Sequence, residues 1–484
     1  MYTSTRKKLN KNVSFCITKG ISEEGGLFIL DNYQNFAISE EMLSLSYQEL
    51  TKIIFEYFLN DFTKEQIIKT INGAYNKNNF SEKMVGLTTF SDVSFLELYH
   101  GPTMAFKDMA LTILPHLLVT SKKINGNNKK TLILTATSGD TGGAALSGFK
   151  NLEDVKIVVL YPTKGVSSFQ EQQMHYYTGK NAMAIAVDGN FDDCQSLVKK
   201  IFTSDMKLKN LEFSSANSIN IGRLIPQIIY YFYSYFEMVR TNNIHYGEKI
   251  NFVVPTGNFG NILACYIAKK MGLFIDKIVC ASNENNILTD FFNTLVYDKN
   301  RNFYLTNSPA MDILISSNLE RLLYLITDNN EQLVSKLMID LKEKGVYTLP
   351  REYKSALKDF MAFSINKEET VNYIKKVYVE HQYLIDPHTA VAYGAYEALK
   401  SQLVGKTVVV STASPYKFLE TVDEIFNTNQ EGIEQVKEIE KITKCKAPQV
   451  LFDIYNHQFD KVVWHKDEME EALIKLIGEI DENC

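Results

Sequence analysis

Lys107 lies in the run His100-Gly101-Pro102-Thr103-Met104-Ala105-Phe106-Lys107-Asp108, after a Gly-Pro turn. An apolar, helix-compatible stretch follows over 109–119. The amine therefore stands near a helix start, walled by Phe106 and Met104. Low dielectric disfavours the charged form, so a desolvated lysine gives up its proton more easily. The neutral amine attacks carbonyls and is the usual holder of an aldehyde cofactor as a Schiff base. On residue types alone, a surface lysine opening an amphipathic helix is the competing reading. Asp108 reads either as a second base or as a partner of the helix dipole.

Two loops give the lysine company. The apolar run 131–134 enters Thr135-Ala136-Thr137-Ser138-Gly139-Asp140-Thr141-Gly142-Gly143, and a small-residue helix start follows over 144–149. Further on, the run 252–255 enters Thr256-Gly257-Asn258-Phe259-Gly260-Asn261, followed by helical 262–271. A strand, a glycine-rich loop and a helix N-terminus together present free backbone N–H groups to an anion. Ordinary turns also use such glycines. Two of these loops beside one sequestered lysine share a common explanation: an anionic cofactor with an anionic substrate. Arg223 adds to it, because it stands in an otherwise apolar run, 219–231, where an unpaired charge is costly.

Several strand-like runs must position these groups: 131–134, 156–160, 183–187, 251–254, 277–282 and 407–411. Helical segments alternate with them, which predicts an α/β fold with a mainly parallel, doubly wound sheet. The stretches 111–118 and 224–236 read as buried helices, kinked at Pro115 or Pro226. The aromatic run 230–236 reads as core packing. The 484 residues suggest two or three domains. With 45% hydrophobic and 22% charged residues, the composition is that of a soluble globular protein. A net charge of −6 argues against a nucleic-acid partner. The six cysteines form no Cys-x-x-Cys pair, and the histidines lack ligand spacing. Reduced thiols in a cytoplasmic protein, with no metal, are the expectation. No apolar run is long enough for a membrane span, and residues 1–12 lack the apolar core of a signal peptide.

As an ordered set, these motifs resemble the threonine synthase family, pyridoxal-phosphate enzymes of the β-family or fold type II. The likeness begins with Val13-Ser14-Phe15 and Gly20 through Phe28. It continues through the Lys107 segment, the Thr137–Gly142 loop, Tyr161-Pro162, Ser215 to Asn220 with Arg223, and the Gly257–Asn261 loop. Pro309 to Asp312 with Ser317-Asn318, Asp386 to Tyr393, and Ser411-Thr412-Ala413-Ser414-Pro415-Tyr416-Lys417-Phe418 complete it. Leu30 stands where the family commonly has proline, and Ser414 where it often has histidine. The resemblance implies two doubly wound α/β domains with the cofactor in the cleft, preceded by a mainly helical N-terminal segment. The expected divisions are 1–90, 91–245 and 246–484.

It also implies residue roles. Lys107 holds pyridoxal phosphate covalently and acts as general base at Cα. Gly257, Asn258, Phe259, Gly260 and Asn261 bind the cofactor phosphate through backbone N–H groups. Thr412 faces the pyridine nitrogen; by residue type alone it is a β-branched residue ending a strand. The implied substrate is O-phospho-L-homoserine. Thr137, Ser138, Gly139, Asp140 and Thr141 take its α-carboxylate; Lys164, Ser215, Asn217 and Arg223 take its phosphate. Lys164 also reads as a solvated loop lysine. The implied reaction, γ-elimination of phosphate and β-addition of water, yields L-threonine as the last step of its biosynthesis. A phospho-lyase releasing a 2-oxo acid would use the same machinery. A non-catalytic binding protein of this fold would be marked by loss of Lys107 or a glycine loop, and neither is lost. Oligomeric state stays open.

Overall fold

Every functional residue expected above belongs to a segment that follows the carboxyl end of a parallel strand, and two sheets supply those ends. In the computed structural model, residues 1–482 are described, apart from Gln34, Asn35, Ser81, Glu82, Ser138, Thr203 and Asp205. Among the described residues, the larger sheet has the order Phe360–Ser364, Ile275–Ser282, Ile250–Pro255, Thr407–Ser411, Val93–Glu97, Gly86–Thr89. Its strands run parallel except the last pair, an antiparallel hairpin. The smaller sheet is parallel throughout, in the order Val463–His465, Ala182–Asp188, Val155–Pro162, Lys130–Ala136, Leu211–Ser214. All six strands expected from sequence lie within these. Val158, Leu160 and Val408 to Val410 are fully buried, which is why such strands read as unbroken apolar runs.

The expected divisions at 90 and 245 cut across the sheets. Val93–Glu97 pairs with Thr407–Ser411, and Val463–His465 pairs with Ala186 to Asp188 of the smaller sheet. Parallel pairing requires long crossovers, so sheet neighbours need not be chain neighbours.

The N-terminal helices Val13–Lys19, Tyr47–Phe58 and Lys64–Ala74 share one continuous core with the rest. Two of them open with capping boxes, Ser46 with Glu49 and Thr63 with Gln66. Leu50, Ile54 and Phe55 pack in the cluster that contains Tyr230 to Phe232. The aromatic run is thus core, on the 20-residue helix Ile221–Arg240, which continues through Pro226. The segment expected to kink at Pro115 instead divides into Asp108–Leu111 and Leu114–Ile124. Pro115 sits in the first turn of the second piece, where its missing N–H costs nothing. No described helix is long and apolar enough to cross a membrane.

Candidate active site

Lys107 stands at the start of the short helix Asp108–Leu111. Backbone contacts tie its segment to the end of the neighbouring strand: Phe106 N donates to Thr412 O at 2.8 Å, and Ser414 N donates to Met104 O at 3.0 Å. Ala105 and Ala413 form the bridge between them. This places Lys107 and Thr412 on adjoining segments at the carboxyl edge of the larger sheet. Met104 adopts φ 56°, a left-handed conformation that costs a side chain-bearing residue roughly 1–3 kcal/mol. Asp108 holds the turn beneath. Its carboxylate accepts from Thr103 N at 2.8 Å and Thr103 Oγ1 at 2.6 Å. Burial nonetheless pushes its carboxyl up to about 6. Both oxygens face Thr103, so Asp108 is a brace for the loop rather than a base aimed at a ligand.

The smaller sheet meets Lys107 through Asp140, first residue of the helix Asp140–Phe149. Asp140 Oδ2 lies 3.7 Å from Lys107 Nζ, and Oδ1 lies 2.9 Å from the fully buried Lys417 Nζ. Gln170 Nε2 also donates to Oδ1, at 3.1 Å. Burial disfavours the Asp140 anion, but Lys417 and Lys107 outweigh it and hold the carboxyl well below the usual range. Burial is also the main force lowering the Lys107 amine; Asp140 opposes it, while Lys417 and Arg223 add to it. The bottom of the cleft thus holds a desolvated amine, a permanent carboxylate and two further cations.

The second glycine loop forms an anion cradle. Phe259, at φ 65°, caps the helix Gly260–Lys270 from the left-handed region. Among the described residues, the N–H groups of Asn258, Phe259, Gly260 and Asn261 have no acceptor. They fit a phosphate at a helix N-terminus. Gly257 is required by space: a Cβ there would meet Ala310 O at 2.5 Å. Ala310 cannot retreat easily. Its N–H donates to His388 Nε2 at 3.2 Å, and His388 Nδ1 donates to Asp386 at 2.8 Å. Asp312, two residues on, accepts from Asn283 at 2.7 Å, Asn285 at 3.0 Å, and Thr306 Oγ1 at 2.7 Å. The Asn261 side chain turns back to Pro255 O at 3.0 Å, so only its backbone faces the cradle.

The other expected residues are placed unevenly. Thr412 is buried, and among the described residues its hydroxyl has no partner. In the first glycine loop, Thr137 Oγ1 is occupied by Gly139 and Gly142. The Asp140 side chain is occupied by lysines, and an ionised carboxylate repels a second one. Among the described residues, the N–H groups of Asp140 and Thr141 and the Thr141 hydroxyl have no partner in this loop and are what it offers an anion. Ser138 lies outside the described residues. Lys164 is exposed in its loop and is not brought into the cluster. Ser215 Oγ accepts from Asn217 N at 3.2 Å, and Asn217 Oδ1 accepts from Thr135 at 3.3 Å. Arg223 is buried and donates Nη1 to Ala216 O at 2.7 Å, while its Nε has no partner. Among the described residues, no carboxylate pairs with it.

Sequence reasoning missed Lys417, Gln170, Gln173 and Asn318. Lys417 belongs to a quoted motif, and a lysine three residues beyond a buried strand's small-residue exit was the available signal. Asn318 N and Nδ2 both donate to Asn258 O at 3.0 Å, fixing the cradle from outside.

Residues 91–414 match the family of pyridoxal-phosphate dependent enzymes, and residues 1–75 match the threonine synthase N terminus. Threonine synthase of Saccharomyces cerevisiae is 36% identical over 457 residues, 87% of this chain and 88% of the yeast protein. Threonine synthase-like 1 of Homo sapiens is also 36% identical, over 84% of this chain but 56% of the human protein. The structure of PLP-bound threonine synthase from Brucella melitensis matches with TM-score 0.87 at 32% identity, covering 97% of this chain and 98% of that one. Cradle, buried lysine and two-sheet cleft are those of a pyridoxal-phosphate enzyme of fold type II. Within that class the chain belongs to the threonine synthase family, and it is a carbon–oxygen lyase.

Proposed function

We propose that the protein converts O-phospho-L-homoserine and water to L-threonine and phosphate, with Lys107 as cofactor lysine and general base. The observation that carries this is Arg223. This buried guanidinium has no carboxylate partner among the described residues, leaves its Nε unpaired, and lies near enough to Lys107 for its charge to help lower that amine. Such a site suits a substrate with its own phosphate, because guanidinium matches phosphate oxygens in pairs.

Gly257 to Asn261 hold the cofactor phosphate, and Thr412 offers its hydroxyl to the ring nitrogen. When bound, pyridoxal phosphate supplies the electron sink for charge developing at Cα. The N–H groups of Asp140 and Thr141 orient the substrate carboxylate. Arg223, with Ser215 and Asn217 at the rim, holds the departing phosphate. Lys107 removes the Cα proton and returns protons as phosphate leaves Cγ and water adds at Cβ. Its lowered basicity suits it to both tasks near neutral pH. We place the protein in the cytoplasm, consistent with its unpaired thiols Cys16, Cys194, Cys265, Cys280 and Cys445.

The test is an assay of purified protein with O-phospho-L-homoserine that measures phosphate and threonine together. Equal amounts of the two are expected. Phosphate accompanied by 2-oxobutyrate would make the protein a phospho-lyase instead. Borohydride reduction with peptide mapping should find the cofactor on Lys107, and an adduct on another lysine would refute that assignment.

A further inference from the structure

We propose that Lys417 is a positioning residue for Lys107, holding Asp140 as the fixed counter-ion toward which the Lys107 amine is aimed. The proposal rests on the reading of Lys107 as the cofactor lysine. The Lys417 side chain has no solvent contact, and its three donors are all used. One goes to Asp140 Oδ1 at 2.9 Å, one to Thr103 O at 2.8 Å and one to Gln173 Oε1 at 3.1 Å. Asp140 Oδ1 is thus filled by Lys417 and Gln170. Its other oxygen is left for Lys107, at 3.7 Å, within ion-pair range but beyond a hydrogen bond.

That asymmetry has a chemical consequence. A lysine that must bond a carbonyl and later move protons needs a carboxylate near it, but not one that locks it as an ammonium. Lys417 neutralises most of the Asp140 charge and repels the proton on Lys107. The charged groups facing Lys107 are Asp140, Lys417, Arg223 and Asp108. Those facing Asp140 are Lys417, Lys107 and His388. Removing Lys417 takes a cation from both sets, so Asp140 is left to Lys107. The Lys107 amine then keeps its proton to higher pH.

The experiment reads the amine itself in the full chain freed of cofactor. Trace acetic-anhydride labelling against pH, with peptide mapping, gives the midpoint for Lys107. Lys417→Met should raise that midpoint by about one pH unit or more, a tenfold fall in free amine at a given pH. Lys417→Arg should keep it near wild type. Lys417→Met with Asp140→Asn should bring it back to or below wild type. A purely structural Lys417 would lower the melting temperature without moving the midpoint, and that result overturns the proposal. So does a rise that Asp140→Asn fails to reverse. Should Lys417→Met not fold, Asp140→Asn alone decides, because Lys417 keeps its other two acceptors: the midpoint must fall, and an unmoved one refutes the proposal. Borohydride mapping tests the identity of the cofactor lysine separately, so the two failures are distinguishable.

Discussion

At the scale of single residues, unpaired and overburdened charges mark the places where substitution is most informative. Among the described residues, Arg223 gives up hydration without gaining an ion pair. Replacing it with leucine removes that buried charge but strands the Ala216 carbonyl to which it donates, so the two effects oppose one another. Arg223→Leu should therefore leave the melting temperature of the ligand-free protein close to wild type and cofactor loading intact. A lost contact to a buried phosphate costs roughly 2–5 kcal/mol. Specificity for the phosphorylated substrate should then fall about thirtyfold or more, while an analogue without phosphate binds as before. Equal losses for both ligands in a titration would remove the phosphate role. Asp108 is the opposite case. Its folded-state carboxyl is raised to about 6, above the ordinary aspartate value, so it favours folding in the protonated form. That contribution is full below about pH 4 and is lost as pH rises through 6. Asp108→Asn mimics the protonated form: its amide oxygen still accepts from Thr103 N, and its NH2 donates to Thr103 Oγ1 in place of the second carboxylate oxygen. It should raise stability at pH 7 by on the order of 2 kcal/mol, with the gain shrinking toward pH 4. Melting curves across that range would show a constant difference if the carboxyl were not strained.

At the scale of elements, the glycine loops were legible in the sequence, but the demand on each glycine was not. Both Gly257 and Gly260 look equally necessary in Thr256-Gly257-Asn258-Phe259-Gly260-Asn261. In the fold, a Cβ on Gly257 strikes the Ala310 carbonyl at 2.5 Å, whereas one on Gly260 meets Gln227 Nε2 at 3.5 Å and Asn318 Nδ2 at 3.7 Å, ordinary contacts. Gly257→Ala should weaken cofactor binding about tenfold or more, and Gly260→Ala should stay within about threefold of wild type. A fluorescence titration of cofactor settles the order, and a reversal would move the cradle. The buried parallel strands were legible because both faces are apolar. Val93–Glu97 was not, since Ser94 and Glu97 interrupt a five-residue run. Glu97 is tolerated there because His100 at 2.9 Å, Thr88 at 2.6 Å and Tyr383 at 2.9 Å surround its carboxylate. Lys417 was illegible as a partner of Asp140 for a related reason. Its acceptors come from three remote segments, and no local pattern reports them.

At the scale of the whole molecule, the C-terminal part covers surface that the rest cannot hide. Leu473, Ile477 and Ile480 of the last helix pack with Leu132, Leu134, Val158 and Leu160 on one face of the smaller sheet. Asp481 binds the N–H groups of Lys209, Asn210 and Leu211 at 2.8–2.9 Å, closing the turn into Leu211–Ser214. Deleting residues 456–482 removes that cover along with the edge strand Val463–His465. The truncated protein should bind a hydrophobic dye strongly and aggregate, although every residue of the proposed site remains. A soluble, dye-silent truncation would show the cover to be dispensable. The apolar spacing of Leu473, Ile477 and Ile480 marks an amphipathic helix in the sequence, but the edge strand beside it is not marked, because Val463–His465 is three residues long and finds its partner at Ala186.

The pairing of Val93–Glu97 with Thr407–Ser411 also sets a schedule. On the ribosome, the earlier strand emerges about 300 residues before its parallel neighbour exists, counted from the register Val93 to Thr407. At ~5–20 residues per second that is roughly 15–60 s. Through that interval one edge of an apolar strand is open, with only the hairpin to Gly86–Thr89 available on the other. Lys107, the proposed cofactor lysine, follows that strand by ten residues, so its cleft cannot assemble until the sheet closes. The nascent chain is thus a natural client for chaperones while it waits. Cofactor capture should begin only after residue 411 has cleared the exit tunnel, a timing that stalled chains of increasing length would reveal.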